Sequence, residues 1–338
     1  MSEIEREEAS NVTLKQVAEA AGVSLATASY SLNDGGSVGA QTRERVKAVA
    51  QRLGYRPNSS AKAMRTGRTG ALGLVLPDLT NPFFPQLAQT VIVAARNAGY
   101  EVFLTDTLGS KEIEEKSIGA LVQRGVDGLI WFPVDDTTST APRMLSTPAV
   151  VLDRTLEGYD CIVADCYSGG RAAAALLLAE GHRRLGIVSG PSAASSARQR
   201  AQGARDEIKA RGAEVVWELE AAFSVDLDVE IVQTLARRGV TAIVAGSDLI
   251  AIGIVRELRR LGLNVPQDIS VVGFDNIPLS ELCNPPLSTI EIPVHEMGAE
   301  AVQLLIRRIA SPHESRRRIV YAVSAVLRDS VAAAALQP

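Results

Sequence analysis

The chain has 338 residues, of which 46% are hydrophobic and 4% aromatic, and its net charge is −4 at pH 7. This length allows two or three domains with cores of their own. No apolar run approaches about 18 residues, which argues against a membrane span, and the acidic start MSEIEREEAS lacks the apolar stretch of a secretory signal. We therefore expect a cytoplasmic protein without a membrane partner.

The charge is unevenly distributed along the chain. Residues 11–68 hold nine Lys and Arg against three Asp and Glu, whereas residues 69–338 hold 25 against 32. A basic N-terminal segment on an acidic body is typical of a head that binds a polyanion such as nucleic acid. A helical head that is merely solvated is the alternative, and charge alone does not decide between them.

The N-terminal segment is predicted to form three short helices within residues 11–55. Thr13 is placed to cap the first helix and Ser24 the second, with Gly22 in the turn between them. Two short helices joined by such a turn form the helix-turn-helix pattern, although an ordinary helical hairpin has the same outline. The third helix is predicted over about residues 40–53. The apolar positions expected to face the core of this head are Leu14, Val17, Ala18, Ala21, Val23, Ala28, Leu32, Val46, Val49, Ala50 and Leu53.

The outward face of the second helix is small and uncharged. Leu25 and Ala26 are suited to contact thymine methyl groups, and Thr27 and Ser29 to reach phosphates or base edges. Tyr30 lies on the same face. A charged face is unnecessary if basic side chains on the flanks contact the phosphates, and the candidates for that role are Lys15, Arg43, Arg45, Lys47 and Arg56.

From Leu72 onward, ten strand-like apolar runs alternate with helical stretches. Strands so uniformly apolar are buried on both faces, which predicts an α/β fold with parallel sheets covered by helices. Ten strands are many for one sheet, so we expect two doubly wound lobes with a cleft between them. The final residues, RRIVYAVSAVLRDSVAAAALQP, are predicted to form one last strand and a tail.

Polar residues stand where the predicted strands end, which is where ligands of doubly wound sheets bind. Carboxylates accept from neighbouring sugar hydroxyls, an arginine donates to sugar oxygens, and Phe83 or Phe84 can stack on the apolar face of a pyranose or a base. This pattern favours a small sugar-like ligand. The candidate residues are Asn81, Asp106, Arg154, Asp165, Arg200, Ser247, Asp248 and Asp275.

Several of these residues have a structural alternative. In these alternatives, Asp153 and Arg154 form a structural ion pair, Asp165 caps the following helix, and Phe84 belongs to the core. The serine-rich turn SGPSAASSAR either accepts an anion on its backbone N–H groups or is a plain loop with a helix cap.

No catalytic or metal-binding pattern is present in the sequence, so we expect neither enzyme activity nor a bound cofactor. The histidines are scattered, and His182 in EGHRRLG is interpreted as a turn or capping residue. The three cysteines fit no metal-ligand spacing and are interpreted as buried or half-buried thiols: Cys161, Cys166 and Cys283.

The chain closely resembles the lactose-repressor/galactose-repressor (LacI/GalR) family of bacterial transcription regulators. The resemblance rests on VTLKQVAEAAGVSLATASYSLN, TRERVKAVAQRLGYRPNSSAKAM and ALGLVLPDLTNPFF, and it continues through VLDR, GHRRLGIVSGP, SARQRAQG, VPQDISVVGFDN and PPLSTI. These segments occur in order over nearly the whole chain.

The resemblance implies three regions. Residues 11–56 are expected to form the DNA-binding head, residues 57–70 a hinge helix and linker, and residues 71–338 a two-lobed body that binds effector and dimerises. The N-lobe is expected to comprise about residues 71–165 and 292–322. The C-lobe is expected to comprise about residues 166–291 and 323–332.

By resemblance, Leu25 and Ala26 form the main operator-specificity pair, and Met64 takes the place of the leucine that wedges into the minor groove. Tyr30 departs from the family pattern, in which arginine or histidine is common, so the operator cannot be copied from a relative. The full set of expected DNA-binding residues is Thr13, Lys15, Ser24, Leu25, Ala26, Thr27, Ser29, Tyr30, Asn33, Tyr55, Asn58, Ala61 and Met64.

Arg200 and Asp275 match the strongest effector-binding positions of the family, with Asn81, Phe83, Arg154 and Ser247 ranking below them. Many relatives carry Asn or Asp where Ser247 stands. The effector is expected to act either as an inducer or as a corepressor, and the sequence does not distinguish the two roles.

The resemblance implies a homodimeric repressor of carbohydrate uptake or catabolism genes, bound to palindromic operator DNA and controlled by a sugar-like effector. The alternatives are a regulator that takes a purine or sugar phosphate as corepressor, a sugar-binding transport protein, and a small-molecule enzyme.

Overall fold

A computed structural model describes residues 12–32, 37–55, 67–134, 136, 147–237 and 239–334. The chain divides into two compact units, the first ending at Thr69 and the second beginning at Gly70. The roles expected for Asn33, Arg56, Asn58, Ala61 and Met64, and the expected hinge helix, fall outside the described residues.

The first unit contains the three expected helices, α1 (Leu14–Ala21), α2 (Leu25–Leu32) and α3 (Ala40–Arg52). Thr13 and Gln16 form a reciprocal capping box at the start of α1, and Gly22 ends that helix in the left-handed conformation with φ 62°. The side chains buried together between the three helices are Val17, Ala18, Ala21, Ala28, Val46, Val49 and Ala50.

The second unit is an α/β body, as the apolar runs predict. Its strands are β1 (Ala71–Leu76), β2 (Glu101–Asp106), β3 (Gly128–Trp131), β4 (Ala149–Leu152), β5 (Asp160–Ala164), β6 (Arg184–Ser189), β7 (Glu214–Glu220), β8 (Ala242–Ala245), β9 (Ser270–Val272), β10 (Thr289–Glu291), β11 (Arg318–Tyr321) and β12 (Ser324–Val326). Its helices are α4 (Phe83–Asn97), α5 (Lys111–Gln123), α6 (Cys166–Ala179), α7 (Ser195–Ala210), α8 (Val229–Ala236), α9 (Asp248–Arg260), α10 (Pro278–Leu282) and α11 (Val294–Ala310).

Ten of these strands form two parallel sheets, one for each lobe, and β10 and β12 form a separate antiparallel pair. The N-lobe sheet has the order β11-β5-β4-β3-β1-β2, and the C-lobe sheet has the order β7-β6-β8-β9. Every neighbouring pair in both sheets is parallel. In each sheet the chain first moves to one side of its first strand and then to the other, which is the doubly wound pattern.

The last segment differs from the single strand that its sequence predicts. It forms two short strands, because Tyr321 of β11 pairs with Ala164 in the N-lobe, whereas Ser324 of β12 pairs antiparallel with Glu291 of β10. One continuous strand cannot belong to both sheets. The chain therefore crosses between the lobes after β5, after β10 and after β11.

Helices α6 and α7 pack closely in the C-lobe because two glycines face the neighbouring backbone. A Cβ on Gly170 would lie 2.0 Å from the carbonyl oxygen of Arg200, and one on Gly203 would lie 2.1 Å from that of Tyr167. No larger residue fits at either position without moving a helix. The backbone of Arg200 is therefore fixed against α6.

Within the described ranges, no helix is long and apolar enough to cross a membrane. Cys161 and Cys166 are buried and Cys283 is half-buried, and all three are free thiols.

His182 is not only a turn residue, as its sequence context suggests, but also a buried hydrogen-bonding residue. It is 3% exposed, and its Nδ1 lies 2.9 Å from Thr241 Oγ1. Its Nε2 lies 3.0 Å from both Ser270 Oγ and the Ala332 carbonyl oxygen. The ring thus joins the amino ends of β6, β8 and β9 to the C-terminal segment.

We predict that His182 makes the stability of the protein sensitive to acid. Burial lowers the pKa of His182 below its ordinary value of 6.5, so the folded state binds fewer protons than the unfolded state. The contribution of the neutral His182 ring to the free energy of unfolding is complete above pH 6.5. It is lost as pH falls, by at most about 1.4 kcal/mol per pH unit for one proton. Urea unfolding of the wild type and of His182→Gln between pH 7.5 and 5 should show a shallower pH slope in the variant. Equal slopes would contradict this assignment.

Candidate functional site

The outward face of α2 is exposed and apolar, as expected for a recognition helix. Leu25 is 53% exposed and Tyr30 51%, and Ala26 beside them is also exposed. On the opposite side, Ala28 is completely buried against the other two helices. A helix that leaves large apolar side chains in solvent next to a well-packed core presents a surface for a partner.

The first turn of α2 is held by hydroxyl groups. Ser24 Oγ accepts from the Thr27 backbone nitrogen at 3.1 Å and lies 2.9 Å from Thr27 Oγ1. Ser31, which sequence reasoning did not single out, is fully buried and donates from Oγ to the Thr27 carbonyl oxygen at 2.7 Å. This back-bonding satisfies a hydroxyl on the apolar side of the helix, which hydrophobic periodicity alone does not reveal.

Basic side chains lie on the other two helices of the head. Lys15 is exposed on α1, and Arg45 and Lys47 are exposed on α3, whereas Arg43 and Tyr55 are half-buried. The head therefore carries an uncharged exposed helix in a unit that also displays cations. This division suits a protein that reads bases with one helix and contacts phosphates with others.

The body contains a cavity of about 790 Å³ at the carboxyl ends of both parallel sheets. Its walls come from the segments that follow β1, β2, β3, β4, β6, β7 and β8 and from Asp275 after β9. The strand order reverses at β1 in the N-lobe and at β6 in the C-lobe, which is where doubly wound sheets bind ligands.

Arg200 and Asp275 form the charged centre of this cavity. Arg200 Nη1 lies 2.9 Å from Asp275 Oδ1 and donates to the Gly246 carbonyl oxygen at 2.7 Å. The guanidinium carbon stands 4.0 Å from the centre of the Phe274 ring, and both charged residues are more than nine-tenths buried. Burial raises the pKa of Asp275 to about 6, although Arg200 opposes the rise. The pair presents an acceptor and a donor to the same region of the cavity.

A second polar cluster joins the two lobes. Arg154 and Asp153 of the N-lobe form an ion pair, and Arg154 Nε lies 3.1 Å from Asp136 Oδ1. From the C-lobe, Ser196 donates to Asp153 Oδ2 at 2.8 Å and Arg198 Nη2 lies 2.6 Å from Asp136 Oδ2.

The same cluster includes the serine-rich turn. The Ser195 backbone nitrogen at the start of α7 donates to Asp136 Oδ1 at 3.3 Å, so a carboxylate of the chain itself lies at this helix end. Hydrogen bonds from Arg198 and Ser195, together with the charge of Arg154, hold the pKa of Asp136 below its ordinary value against the opposing effect of burial.

Three phenylalanines form an apolar wall of the cavity on the N-lobe side, and Phe223 lines the cavity from the C-lobe. Phe83, Phe84 and Phe132 pack edge to face, with ring centroids 4.9 to 6.2 Å apart. Phe84 is both a core residue, at 8% exposure, and part of this wall. An aromatic wall opposite charged hydrogen-bonding groups matches a ligand with one apolar face and several hydroxyls.

Of the residues expected to bind the effector, the structure brings Asn81, Phe83, Arg154, Arg200 and Asp275 together in the cavity wall. Four others, Asp106, Asp165, Ser247 and Asp248, lie outside the wall, because their side chains hold local backbone. Asp165 caps α6 by accepting from Ser168, and Ser247 caps α9 by accepting from Ile250. Asp106 accepts from the backbone nitrogens of Leu79 and Leu108.

Several residues of the site were not foreseen from the sequence. Asp136 follows a loop without any motif, and Ser196 and Phe132 stand in runs that equally fit plain loops and core. Asp153, in VLDR, adopts a positive φ of 64°, a conformation in which Asp is over-represented. An aspartate directly after a predicted strand is therefore the one sequence signal that pointed to this turn.

The chain matches two protein-family models. Residues 13–58 match the bacterial regulatory proteins of the lacI family, and residues 174–331 match the periplasmic binding protein-like domain. The first match contains α1 to α3, and the second begins within α6 and ends after β12.

Relatives match over most of the chain. The ribose operon repressor of Bacillus subtilis (strain 168) is 36% identical over 303 residues, which cover 87% of this chain and 90% of that protein. The lac repressor dimer bound to operator and the anti-inducer ONPF is 28% identical, with a TM-score of 0.85 over 95% of this chain and 99% of its own. A LacI family transcriptional regulator from Enterococcus faecium with bound ribose is 27% identical, with a TM-score of 0.70 over 78% of this chain and 99% of its own.

We predict that replacing Arg200 by Met destabilises the protein far more than replacing Arg198 by Ala. The first change leaves Asp275 buried without its partner, which costs about 3–5 kcal/mol. The second removes one side of an ion pair whose arginine is 52% exposed, which costs less than about 1 kcal/mol. Urea unfolding at pH 7.5, followed by far-ultraviolet circular dichroism, measures both. Equal losses would show that Arg200 is not the partner that compensates Asp275.

Proposed function

The chain belongs to the LacI family of bacterial regulatory proteins, and on this premise we propose that it is a sequence-specific repressor of carbohydrate uptake or catabolism genes. It binds a palindromic operator as a homodimer, in the cytoplasm and on the nucleoid, and a small sugar-like effector in the cavity controls its affinity for the operator. The observation that carries this proposal is the presence in one chain of an exposed uncharged recognition helix and a polar-aromatic cavity at the switch points of both sheets.

The charges of the cavity favour a neutral sugar over a phosphorylated one. Arg200 already faces Asp275, and Arg154 faces Asp153 and Asp136. At either arginine, a phosphate would have to displace a carboxylate, which leaves that carboxylate without its partner. A polyol instead donates to the carboxylates and accepts from the guanidinium groups without breaking either pair. The purine or sugar-phosphate alternative is therefore the weaker one.

Four residues of the cavity wall have a defined role in this proposal. Asp275 and Arg200 bind adjacent hydroxyls, and Phe83 stacks on the apolar face of the sugar ring. Asn81 Oδ1 accepts from the Phe83 backbone nitrogen at 3.1 Å, which leaves the amide Nδ2 of Asn81 to donate to the ligand. A volume of about 790 Å³ lies within the ordinary range for small-molecule sites and accommodates a monosaccharide with several waters.

The protein releases its ligand unchanged in this proposal. The three histidines lie outside the cavity wall, and neither serine in that wall lies beside a histidine: Ser196 hydrogen-bonds to Asp153 and Arg154, and Ser224 accepts from the Asp226 backbone nitrogen. Relatives named as repressors support the same conclusion.

Control of operator affinity follows from differential binding. A sugar that contacts Asp275 and Arg200 from the C-lobe and Phe83 and Asn81 from the N-lobe favours one arrangement of the lobes. By linkage, the state that binds sugar better gains population at the expense of the other, and operator affinity changes by the same factor as sugar affinity. Inducer and corepressor differ only in which state binds DNA.

We predict that two substitutions in the head separate affinity from specificity. Lys15→Ala should weaken operator and random DNA alike and lower the slope of log affinity against log salt by about one unit, because one phosphate contact is lost. Leu25→Ala should keep the salt slope and reduce the preference for the operator, because an apolar base contact is lost. Gel shifts with the upstream DNA of the protein's own gene, at several salt concentrations, measure both. Failure of the wild type to bind any duplex at low salt would refute the DNA-binding role.

We predict that neutral sugars, and not their phosphates, stabilise the full-length chain. A ligand at about 100 times its Kd raises the free energy of unfolding by about 2.7 kcal/mol. Thermal shift assays with D-ribose, D-xylose, D-glucose and cellobiose should identify a ligand that D-ribose 5-phosphate and hypoxanthine do not replace. Arg198→Ala, whose side chain lies outside the cavity wall, is the matched control and should keep the shift. A response to the phosphate or purine alone would overturn the choice of ligand class, and no response to any of them would contradict effector control.

A further inference from the structure

Asp248 is a buried carboxylate that does not line the cavity but lies behind the loop that carries Asp275. It is completely buried and is the first residue of α9. Its backbone nitrogen donates to the Phe274 carbonyl oxygen at 2.7 Å, and its Oδ2 accepts from the Ile277 backbone nitrogen at 2.9 Å. One residue therefore holds both ends of the segment 274–277.

The segment between these two hydrogen bonds has an unfavourable backbone conformation. Asp275 has φ 110° and Asn276 has φ 57°, which are values that residues with a Cβ rarely adopt. Such conformations persist only where the surrounding structure enforces them. On its other side the segment is held by the Asp275 backbone nitrogen, which donates to the Ile290 carbonyl oxygen at 2.7 Å.

The approach of Asp248 to this segment depends on a glycine. A Cβ on Gly273 would lie 2.2 Å from Asp248 Oδ1, so no other residue leaves room for the carboxylate. Oδ1 instead accepts from the Thr289 hydroxyl of β10. The two carboxylate oxygens thus hold different elements, Oδ1 the strand and Oδ2 the loop.

We propose that Asp248 is a positioning residue for the effector: by holding the segment 274–277 at both ends, it keeps the carboxylate of Asp275 against Arg200 and directed into the cavity. This inference rests on the proposed function, because it concerns how well the cavity is prepared for a sugar. Asp248 itself does not touch the ligand.

The environment of Asp248 defines its best substitute. Burial, together with the nearby charge of Asp275, raises the pKa of Asp248 to about 8. Asparagine has the same shape as aspartate, carries no charge that burial penalises, and can still make a hydrogen bond at each end of its amide. In Asp248→Asn, the amide oxygen accepts from Ile277, and the Thr289 hydroxyl rotates to accept from the amide nitrogen.

The test compares full-length wild type with three variants, by isothermal titration with D-ribose and by crystal structures without sugar. Asp248→Ala should weaken D-ribose binding about tenfold or more, as expected for the loss of a buried hydrogen bond. Asp248→Asn should stay within about threefold of wild type. Thr289→Val, which removes only the donor to Oδ1, is a milder variant expected to fall between the two.

His182→Gln is the matched control for general destabilisation, because His182 lies at the amino ends of the C-lobe strands and not at the cavity. It should lower the free energy of unfolding and leave the Kd for D-ribose unchanged. Wild-type affinity in both Asp248→Ala and Thr289→Val would overturn the proposal, as would an asparagine variant that binds as weakly as the alanine variant.

The sugar-free structures separate this inference from the choice of effector. In Asp248→Ala, Asp275 should leave Arg200 and lose its positive φ, whereas the distance of 2.9 Å in the wild type should persist in Asp248→Asn. An unchanged ion pair in the alanine variant would overturn the positioning role. If wild type does not bind D-ribose, the effector of the proposed function is wrong, and the crystal structures still decide the role of Asp248.

Discussion

The body of this protein depends on one buried charge, the guanidinium group of Arg200. An arginine so far from water is tolerated only where a carboxylate, a carbonyl oxygen and an aromatic face compensate for lost hydration, and Asp275, Gly246 and Phe274 supply them. Its backbone is fixed as well, because Gly170 brings α6 against the Arg200 carbonyl. A group held so firmly pre-organises the cavity for a ligand.

The cavity lies between the two lobes, because the residues that line it come from both. The Arg200 pair belongs to the C-lobe, whereas the aromatic wall and Arg154 belong to the N-lobe. Asp136 and Asp153 extend the polar contacts across the gap to Ser196 and Arg198. A ligand that fills the cavity therefore contacts both lobes, so its binding depends on the distance between them.

Much of this arrangement could be predicted from the sequence. Ten of the twelve strands within the described residues are visible as apolar runs, and the strand-end rule placed Asp275 correctly beside the cavity. Arg200 lines the cavity too, but from within α7 rather than from the end of a strand. The rule failed to separate Asp275 from Asp165 and Ser247, because a polar residue after a strand either points into the cleft or turns back to cap its own helix. That choice is made by side-chain direction, which tertiary packing sets and local sequence does not. Asp136 lies in a loop without periodicity, so only the folded structure reveals it.

The division of the last two strands between the lobes bears on how the chain is made. The edge strand of the N-lobe sheet, β11, and the partner of β10, β12, both come from the final part of the chain, as does α11, which packs on α4. The N-lobe sheet therefore lacks its edge strand β11, and β10 lacks its partner β12, until synthesis is almost finished, whereas the four strands of the C-lobe sheet are all present once β9 has been made. We expect the nascent body to emerge from the ribosome with an unpaired strand edge on β5, which is open to pairing with other chains until β11 covers it.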